Sequence, residues 1–79
     1  MKFTRDEFEA WREHPMTRLV LDQYVRDQLT LTRETHDDEA WNGRLDPEKH
    51  ASLRERHETL EWIQELSFEE LSEWLKTAA

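Results

Sequence analysis

The stretch Asn42-Gly43-Arg44-Leu45-Asp46-Pro47 decides the fold, because it ends one long helical segment and starts another. Asn42-Gly43 is typical of a helix C-terminus, where either residue can adopt the left-handed conformation that closes the last turn. Asp46-Pro47 is typical of a helix N-terminus, with aspartate as the cap and proline at the first helical position. A short turn between two helices predicts an antiparallel helical hairpin.

The spacing of apolar residues predicts the two helices of this hairpin. The upstream helix is expected over about residues 15–42, because its apolar residues recur at helical spacing. Its apolar stripe consists of Met16, Val20, Tyr24 and Leu31, flanked by Leu19, Leu21, Val25 and Leu29. Residues 29–32 alternate and also allow a strand, but the sequence offers no partner strand, so we prefer a helix. The downstream helix is expected over about residues 47–66, with a stripe of Leu53, His57, Leu60 and Ile63.

A repeated pattern, Ser/Thr-x-x-Glu-apolar-x-x-Trp, predicts a short helix at each end of the chain. It occurs over residues 4–11 and again over residues 67–74. The hydroxyl of the first residue can accept from the backbone N–H three residues on, and the glutamate can bond back to the cap N–H. We therefore expect capping boxes at Thr4 and Ser67, with Trp11 and Trp74 two turns into each helix.

These elements predict an all-α fold, with one domain over residues 1–79 and both short helices at the open end of the hairpin. Counting outward from the turn places Leu31 near His57, Gln28 near Leu60 and Val25 near Ile63. Residues 32–58 then form a polar arm. The aromatic residues are expected to cluster at its base: Phe3, Phe8, Trp11, Tyr24, Trp62, Phe68 and Trp74.

The composition limits what the chain can do. Of its 79 residues, 35% are apolar and 38% are charged, so a single core supplies little stability and self-association is attractive. The net charge of −8 argues against nonspecific binding to nucleic acid or an anionic membrane. The sequence contains no run of about 18 apolar residues and no N-terminal signal segment, so we expect a cytoplasmic protein.

The residues that could support catalysis or metal binding form no convincing motif. The chain has no cysteine, and its only glycine, Gly43, rules out a glycine-rich phosphate loop. His36 and Asp37 could face His50 and His57 across the hairpin, but the His-Glu-x-x-His spacing of one-helix metal sites is missing. Four short helices also leave little room for a pocket that would desolvate a carboxylate. We expect no enzymatic activity, no metal and no cofactor.

The tryptophans that the helix packing does not explain are the better candidates for function. Trp41 lies at the tip of the arm, with Leu45 across the turn, and tryptophan is favoured at interface hot spots. The alternative is that both residues close the hairpin end over Ala51. Trp62 lies off the Leu60–Ile63 stripe, so it either reaches the terminal helices or faces a second subunit. We take Trp41, Leu45 and Trp62 as candidate partner-binding residues.

The pattern Phe8-x-x-Trp11-x-x-His14-Pro15-x-Thr17, followed by a charged helical hairpin and an acidic C-terminal helix, resembles small proteins of tailed phages and prophages. Those proteins are typically encoded among head and packaging genes. The resemblance is specific over about ten residues and architectural over the rest. It implies a virion-assembly or accessory role in the host-cell cytoplasm or the virion, and it brings no catalytic residues.

Two functions are compatible with these features. The first is a self-associating protein-interaction or assembly factor that works by helix-face packing. The alternative is an acidic mimic of nucleic acid, or a helical inhibitor of a host protein, suggested by six glutamates and no basic residue over residues 58–73. Neutralisation of that run by Arg54, Arg56 or Lys76 would count against mimicry.

Overall fold

The structure is a computed structural model that describes residues 1–78, and all regular structure in that part of the chain is helical. Helix α1 spans Arg5–Glu13. Helix α2 runs without a break through three parts, Pro15–Arg18, Leu19–Tyr24 and Val25–Trp41. Helices α3 and α4 span Pro47–Gln64 and Phe68–Ala78. The predicted all-α fold, a helical hairpin with a short helix on each side, is confirmed.

The capping box predicted at Thr4 is complete. Thr4 Oγ1 accepts from the backbone N–H of Glu7 at 3.1 Å, and Glu7 Oε1 accepts from the backbone N–H of Thr4 at 3.1 Å. At the second site, Ser67 Oγ accepts from the backbone N–H of Glu70 at 3.1 Å, as predicted. The Glu70 carboxylate instead accepts from the indole N–H of Trp62, at 2.8 Å.

The hairpin turn has the hydrogen bonds of a Schellman motif. Gly43 has a φ of 70° and donates its N–H to the carbonyl of Ala40, at 3.2 Å. Arg44 donates to the carbonyl of Glu39, at 2.8 Å. This motif needs a residue in the left-handed conformation just after the helix, and glycine adopts it without steric cost. The only glycine of the chain therefore ends α2. Asp46 Oδ1 then accepts from the backbone N–H of Lys49 and caps α3.

The middle part of α2, Leu19–Tyr24, is a π-helix, which the sequence did not predict. The backbone N–H of Val25 donates to the carbonyl of Val20, five residues earlier. Neighbouring elements bind at this segment: Gln64 Nε2 donates to the carbonyl of Leu21 at 3.2 Å, and Arg12 contacts Asp22. The irregularity of α2 therefore lies here, whereas residues 29–32, the possible strand, are α-helical.

The residues of α2 that pack on α3 are not those of the predicted apolar stripe, but mostly the residues one position after them. Its buried residues are Leu21, Val25 and Thr32, whereas Met16, Val20, Tyr24 and Leu31 are exposed. The hydroxyl of Thr32 donates to the carbonyl of Gln28 at 2.7 Å, which satisfies it inside the hairpin. Two of the four flanking residues, Leu21 and Val25, thus form the core together with Thr32, because they face α3.

Cross-hairpin hydrogen bonds fix the register of α2 and α3. Near the turn Lys49 Nζ donates to Glu39 Oε2 at 3.2 Å. Farther from the turn, Arg56 Nη2 donates to Gln28 Oε1 at 3.1 Å. The predicted partner of Gln28 is Leu60, which lies one turn after Arg56. The antiparallel pairing is as expected, with a shift of about one turn at that point.

The aromatic cluster at the base is smaller than predicted. The ring of Phe68 lies 5.4 Å from that of Phe3 and 6.1 Å from that of Phe8, and Phe8 lies 5.7 Å from Trp11. Phe8 is the one buried aromatic residue among residues 1–78. Tyr24 is exposed on α2 because it lies one residue before the buried Val25, so the prediction that it joins the cluster is wrong.

The folded chain is thin and elongated. Its principal extents are 49 × 29 × 13 Å, and the shortest is little more than one helix diameter of about 10–12 Å. The buried residues among residues 1–78 are four, Phe8, Leu21, Val25 and Thr32. Most side chains therefore have solvent on at least one side. No helix over residues 1–78 is long and apolar enough to cross a membrane.

Candidate partner-binding surfaces

Trp41 lies at the tip of the hairpin, and it is the most exposed of the four tryptophans. It is the last residue of α2, two residues after Glu39, which bonds to Lys49 of α3. Two residues correspond to about 200° of helical rotation, so Trp41 faces away from α3. Its exposed fraction is 90%, and Ala51 is exposed as well. Trp41 therefore does not close the hairpin end over Ala51, and the alternative interpretation is wrong for this residue.

The tip that presents Trp41 is held by charged groups. Glu39 Oε2 accepts from Arg44 Nε at 3.1 Å and from Lys49 Nζ at 3.2 Å. These two hydrogen bonds, the one from Arg44 first, hold the pKa of the Glu39 carboxyl below its ordinary value. Leu45 is half-buried within this turn. Charged side chains thus hold the turn in place, and the indole ring of Trp41 beside them is exposed.

Histidines from both helices meet in the groove behind the tip, as the sequence suggested. His36 Nε2 and His50 Nδ1 lie 2.9 Å apart and share one hydrogen bond across the hairpin. His57 lines the same groove, but it pairs with Glu61 at 2.9 Å. Residues 1–78 contain no group of three or more side chains placed to hold a metal ion. The hydrogen bond between His36 and His50 is a polar contact between α2 and α3.

Trp62 reaches a terminal helix through its N–H and leaves its ring in solvent. The indole donates to Glu70 Oε2 at 2.8 Å, which joins the end of α3 to the first turn of α4. The exposed fraction of Trp62 is nevertheless 59%. Of the two alternatives for this residue, contact with the terminal helices is found. Because most of its ring is exposed, the ring can still serve as contact surface.

Two further apolar surfaces lie outside the three candidate residues Trp41, Leu45 and Trp62. One is a depression between α1 and α4, lined mainly by Met1, Phe3, Phe8, Trp11, Leu71 and Trp74. The other is the exposed stripe of α2 formed by Met16, Val20, Tyr24 and Leu31. A signal for the stripe was present, because α2 has apolar residues at adjacent positions such as 20–21 and 24–25. Such a helix has an apolar arc too wide for one neighbouring helix to cover.

The acidic run over residues 58–73 is partly neutralised. Glu58 pairs with Arg54 at 3.0 Å, and Glu73 pairs with Lys76 at 3.2 Å. Glu69 pairs with Arg5 of α1, which lowers the pKa of the Glu69 carboxyl below its ordinary value. Basic groups therefore interrupt this face, including two of the three that we named as counting against mimicry.

No protein-family model, curated protein or solved structure matches the chain.

Proposed function

We propose that this chain is a non-enzymatic protein-interaction and assembly factor that acts through exposed helix faces. The observation that carries the proposal is that most of the large apolar side chains lie outside the small core. Eleven large apolar residues are exposed over residues 1–78, whereas three are buried. Apolar residues that are scattered singly are normal at a surface, but Met1, Trp11 and Trp74 line one depression between α1 and α4. A contiguous apolar patch of this kind is typical of a protein that binds other proteins.

The accessible surface supports the same proposal. The chain has 6478 Å² of accessible surface, whereas a compact monomer of 9.7 kDa has about 5,100 Å². Its radius of gyration is 16.3 Å, against about 12 Å for a compact domain of this length. The excess area exceeds the roughly 800 Å² that each partner buries in a standard interface. The chain thus has enough spare surface for at least one stable interface.

We assign the tip of the hairpin to binding of a protein partner, with Trp41 as the anchor and Leu45 beside it. Trp41 is exposed, and it is the last residue of α2, next to the turn that ends the helix. An exposed tryptophan at a fixed position suits an interface hot spot. The exposed ring of Trp62 is a second contact at the base of the hairpin. The ion pairs in the acidic run favour this proposal over nucleic-acid mimicry.

The experiment places a photo-crosslinking amino acid at position 38, with position 48 as the control, and keeps the indole of Trp41. Asp38 is exposed one turn before Trp41, and Glu48 is exposed in the first turn of α3, so both positions sample the same end of the arm. We expect a discrete protein adduct from position 38 in the native cell. The identified partner should bind the Trp41→Ala variant at least ten-fold more weakly. Equal binding by wild type and Trp41→Ala would refute the assignment of the tip.

The proposed setting is virion assembly in the host cytoplasm, which rests on the resemblance of residues 8–17 to small phage proteins. In that setting the partner identified by crosslinking is a structural or packaging protein of the same phage. A host enzyme as the adduct would instead favour an inhibitory role.

A further inference from the structure

The exposed stripe of α2 runs parallel to its core. Three of its four residues precede a buried residue by a single position, in the pairs Val20–Leu21, Tyr24–Val25 and Leu31–Thr32. Val20, Tyr24 and Leu31 have exposed fractions of 45%, 62% and 50%. One residue of an α-helix corresponds to about 100° of rotation, so the exposed stripe lies about a right angle from the face that packs on α3.

Helix α3 contributes to the same side of the molecule. Ile63, which is exposed, precedes Gln64 by one position, and the Gln64 amide faces α2 and bonds to Leu21. Two antiparallel helices that lie side by side are related by a two-fold axis perpendicular to the plane that contains both helix axes. On each helix, the residue that comes one position before a residue of the α2–α3 contact therefore points to the same side of that plane. Ile63 thus adds to the stripe of Met16, Val20, Tyr24 and Leu31, and together these residues form what we call the α2 face.

We infer that the α2 face is the interface between two copies of this chain. This inference deepens the proposed function by naming one of its partners. The stripe runs along one side of α2, so it can pair with the same stripe of a second copy in an isologous, two-fold interface. The whole chain exposes about 1,400 Å² more surface than a compact monomer of its mass. Burial of about 800 Å² per copy in a standard dimer would bring the exposed surface closer to the compact value.

One charged residue lies within the stripe. Asp27 follows Tyr24 by three positions and precedes Leu31 by four, so it occupies the same side of α2. Its carboxylate loses hydration when the face is covered, which weakens the dimer. Replacing Asp27 with leucine should complete the apolar stripe and strengthen self-association. This variant therefore tests the interface in the direction opposite to a disruptive substitution.

The net charge predicts how salt affects the dimer. Each copy carries a charge of −8, so two copies repel one another as they associate. At 0.1 M ionic strength the Debye length is about 10 Å, and it shortens further as salt is added. Self-association through an apolar face should therefore strengthen with sodium chloride. Capture of a basic partner by the acidic surface would weaken under the same change.

Sedimentation equilibrium over 5–200 µM protein (about the range in which weak dimers are resolved), at low and high sodium chloride, tests the interface. We expect a monomer–dimer equilibrium that tightens with salt, a dissociation constant at least ten-fold higher for Tyr24→Glu, and a lower one for Asp27→Leu. Ala40→Glu is the control, because it adds the same charge at an exposed position nine residues after Leu31, on the opposite side of α2. It should leave the constant unchanged. Circular dichroism confirms that each variant keeps its helices.

A wild-type monomer at the highest concentration and salt would overturn the inference, as would Tyr24→Glu and Asp27→Leu variants that dimerise like wild type. The two proposals fail separately. If monomeric Tyr24→Glu still binds the tip partner through Trp41, the tip assignment stands without the dimer. If Trp41→Ala binds that partner normally while Tyr24→Glu abolishes the dimer, the interface stands without the tip.

Discussion

The indole N–H of Trp62 donates to Glu70 Oε2 over 2.8 Å, so the end of α3 is joined directly to the start of α4. Glu70 is the residue that the capping-box pattern assigns to the backbone of Ser67. Its carboxylate instead bonds to a side chain eight residues earlier, while Ser67 still caps the helix. One glutamate thereby becomes a contact between two helices rather than part of a local cap.

Replacing Trp62 with phenylalanine should weaken this contact while leaving most of the exposed ring area in place. We expect the free energy of unfolding to fall by about 0.5–1.5 kcal/mol, the usual net contribution of one hydrogen bond. Urea denaturation followed by circular dichroism measures the change. Trp41→Phe is the control, because Trp41 is 90% exposed and its change should stay within about 0.5 kcal/mol. Equal losses for the two variants would show that the Trp62–Glu70 bond contributes nothing measurable.

Replacing Gly43 with alanine should destabilise the hairpin through the backbone alone. Gly43 has a φ of 70°, and a Cβ added there would meet no atom within 4 Å. The cost is therefore that of a left-handed conformation for an L-residue, about 1–2 kcal/mol. Thermal unfolding of Gly43→Ala measures it, and Gly43→Asn should lose less because asparagine tolerates this conformation. If alanine and asparagine cost the same, the left-handed backbone is not the cause.

The sequence predicted the features of the fold that depend on residues close together in the chain. The Thr4 box, the Asp46 cap and the turn at Gly43 each need only a few neighbouring residues, so their patterns carry the information. The π-helix at Leu19–Tyr24 lies where Gln64 and Arg12 bind, and those residues are distant in sequence. No local pattern could indicate it.

The candidate site was predictable to a similar extent. Trp41 was identified because it lies at the tip of the arm, away from the aromatic base, and the structure leaves it exposed. The α2 face was missed because Val20 and Tyr24 fit a core stripe as well as Leu21 and Val25 do. Helical spacing gives the apolar arc of α2, but only the position of α3 decides which half of that arc is buried.

Lowering the pH should loosen the tip through Glu39. Its hydrogen bonds from Arg44 and Lys49 lower the pKa of the carboxyl below the ordinary value of 4.5. Because the pKa is lower in the folded state, this contribution to stability is complete above about pH 4.5 and is lost as the pH falls through the folded pKa. Carbon-detected NMR titration of the glutamate carboxyls measures it. Lys49→Gln should raise the pKa of Glu39 toward 4.5, and an unchanged value would exclude Lys49 as a cause.

Arg12 should contribute more to stability than Arg18, although both contact Asp22. Arg12 is half-buried, lies 3.5 Å from Asp22 and also donates to the carbonyl of Gln64 at 3.2 Å, which connects α1 to the end of α3. Arg18 is mostly exposed and contacts Asp22 at 3.6 Å within the same helix. Exposed pairs of this kind contribute about 0–0.5 kcal/mol.

We therefore expect Arg12→Met to lower the free energy of unfolding by about 1–2 kcal/mol, because it also leaves the Gln64 carbonyl without its charged donor. Arg18→Met should change it by less than about 0.5 kcal/mol. Urea denaturation compares the two variants. Hydrogen exchange adds a local measure: the amides of α1 should exchange faster in Arg12→Met, because this side chain connects α1 to the end of α3. Equal exchange of α1 in the two variants would mean that the Phe8–Phe68 contact and the Arg5–Glu69 pair hold that helix in place without Arg12.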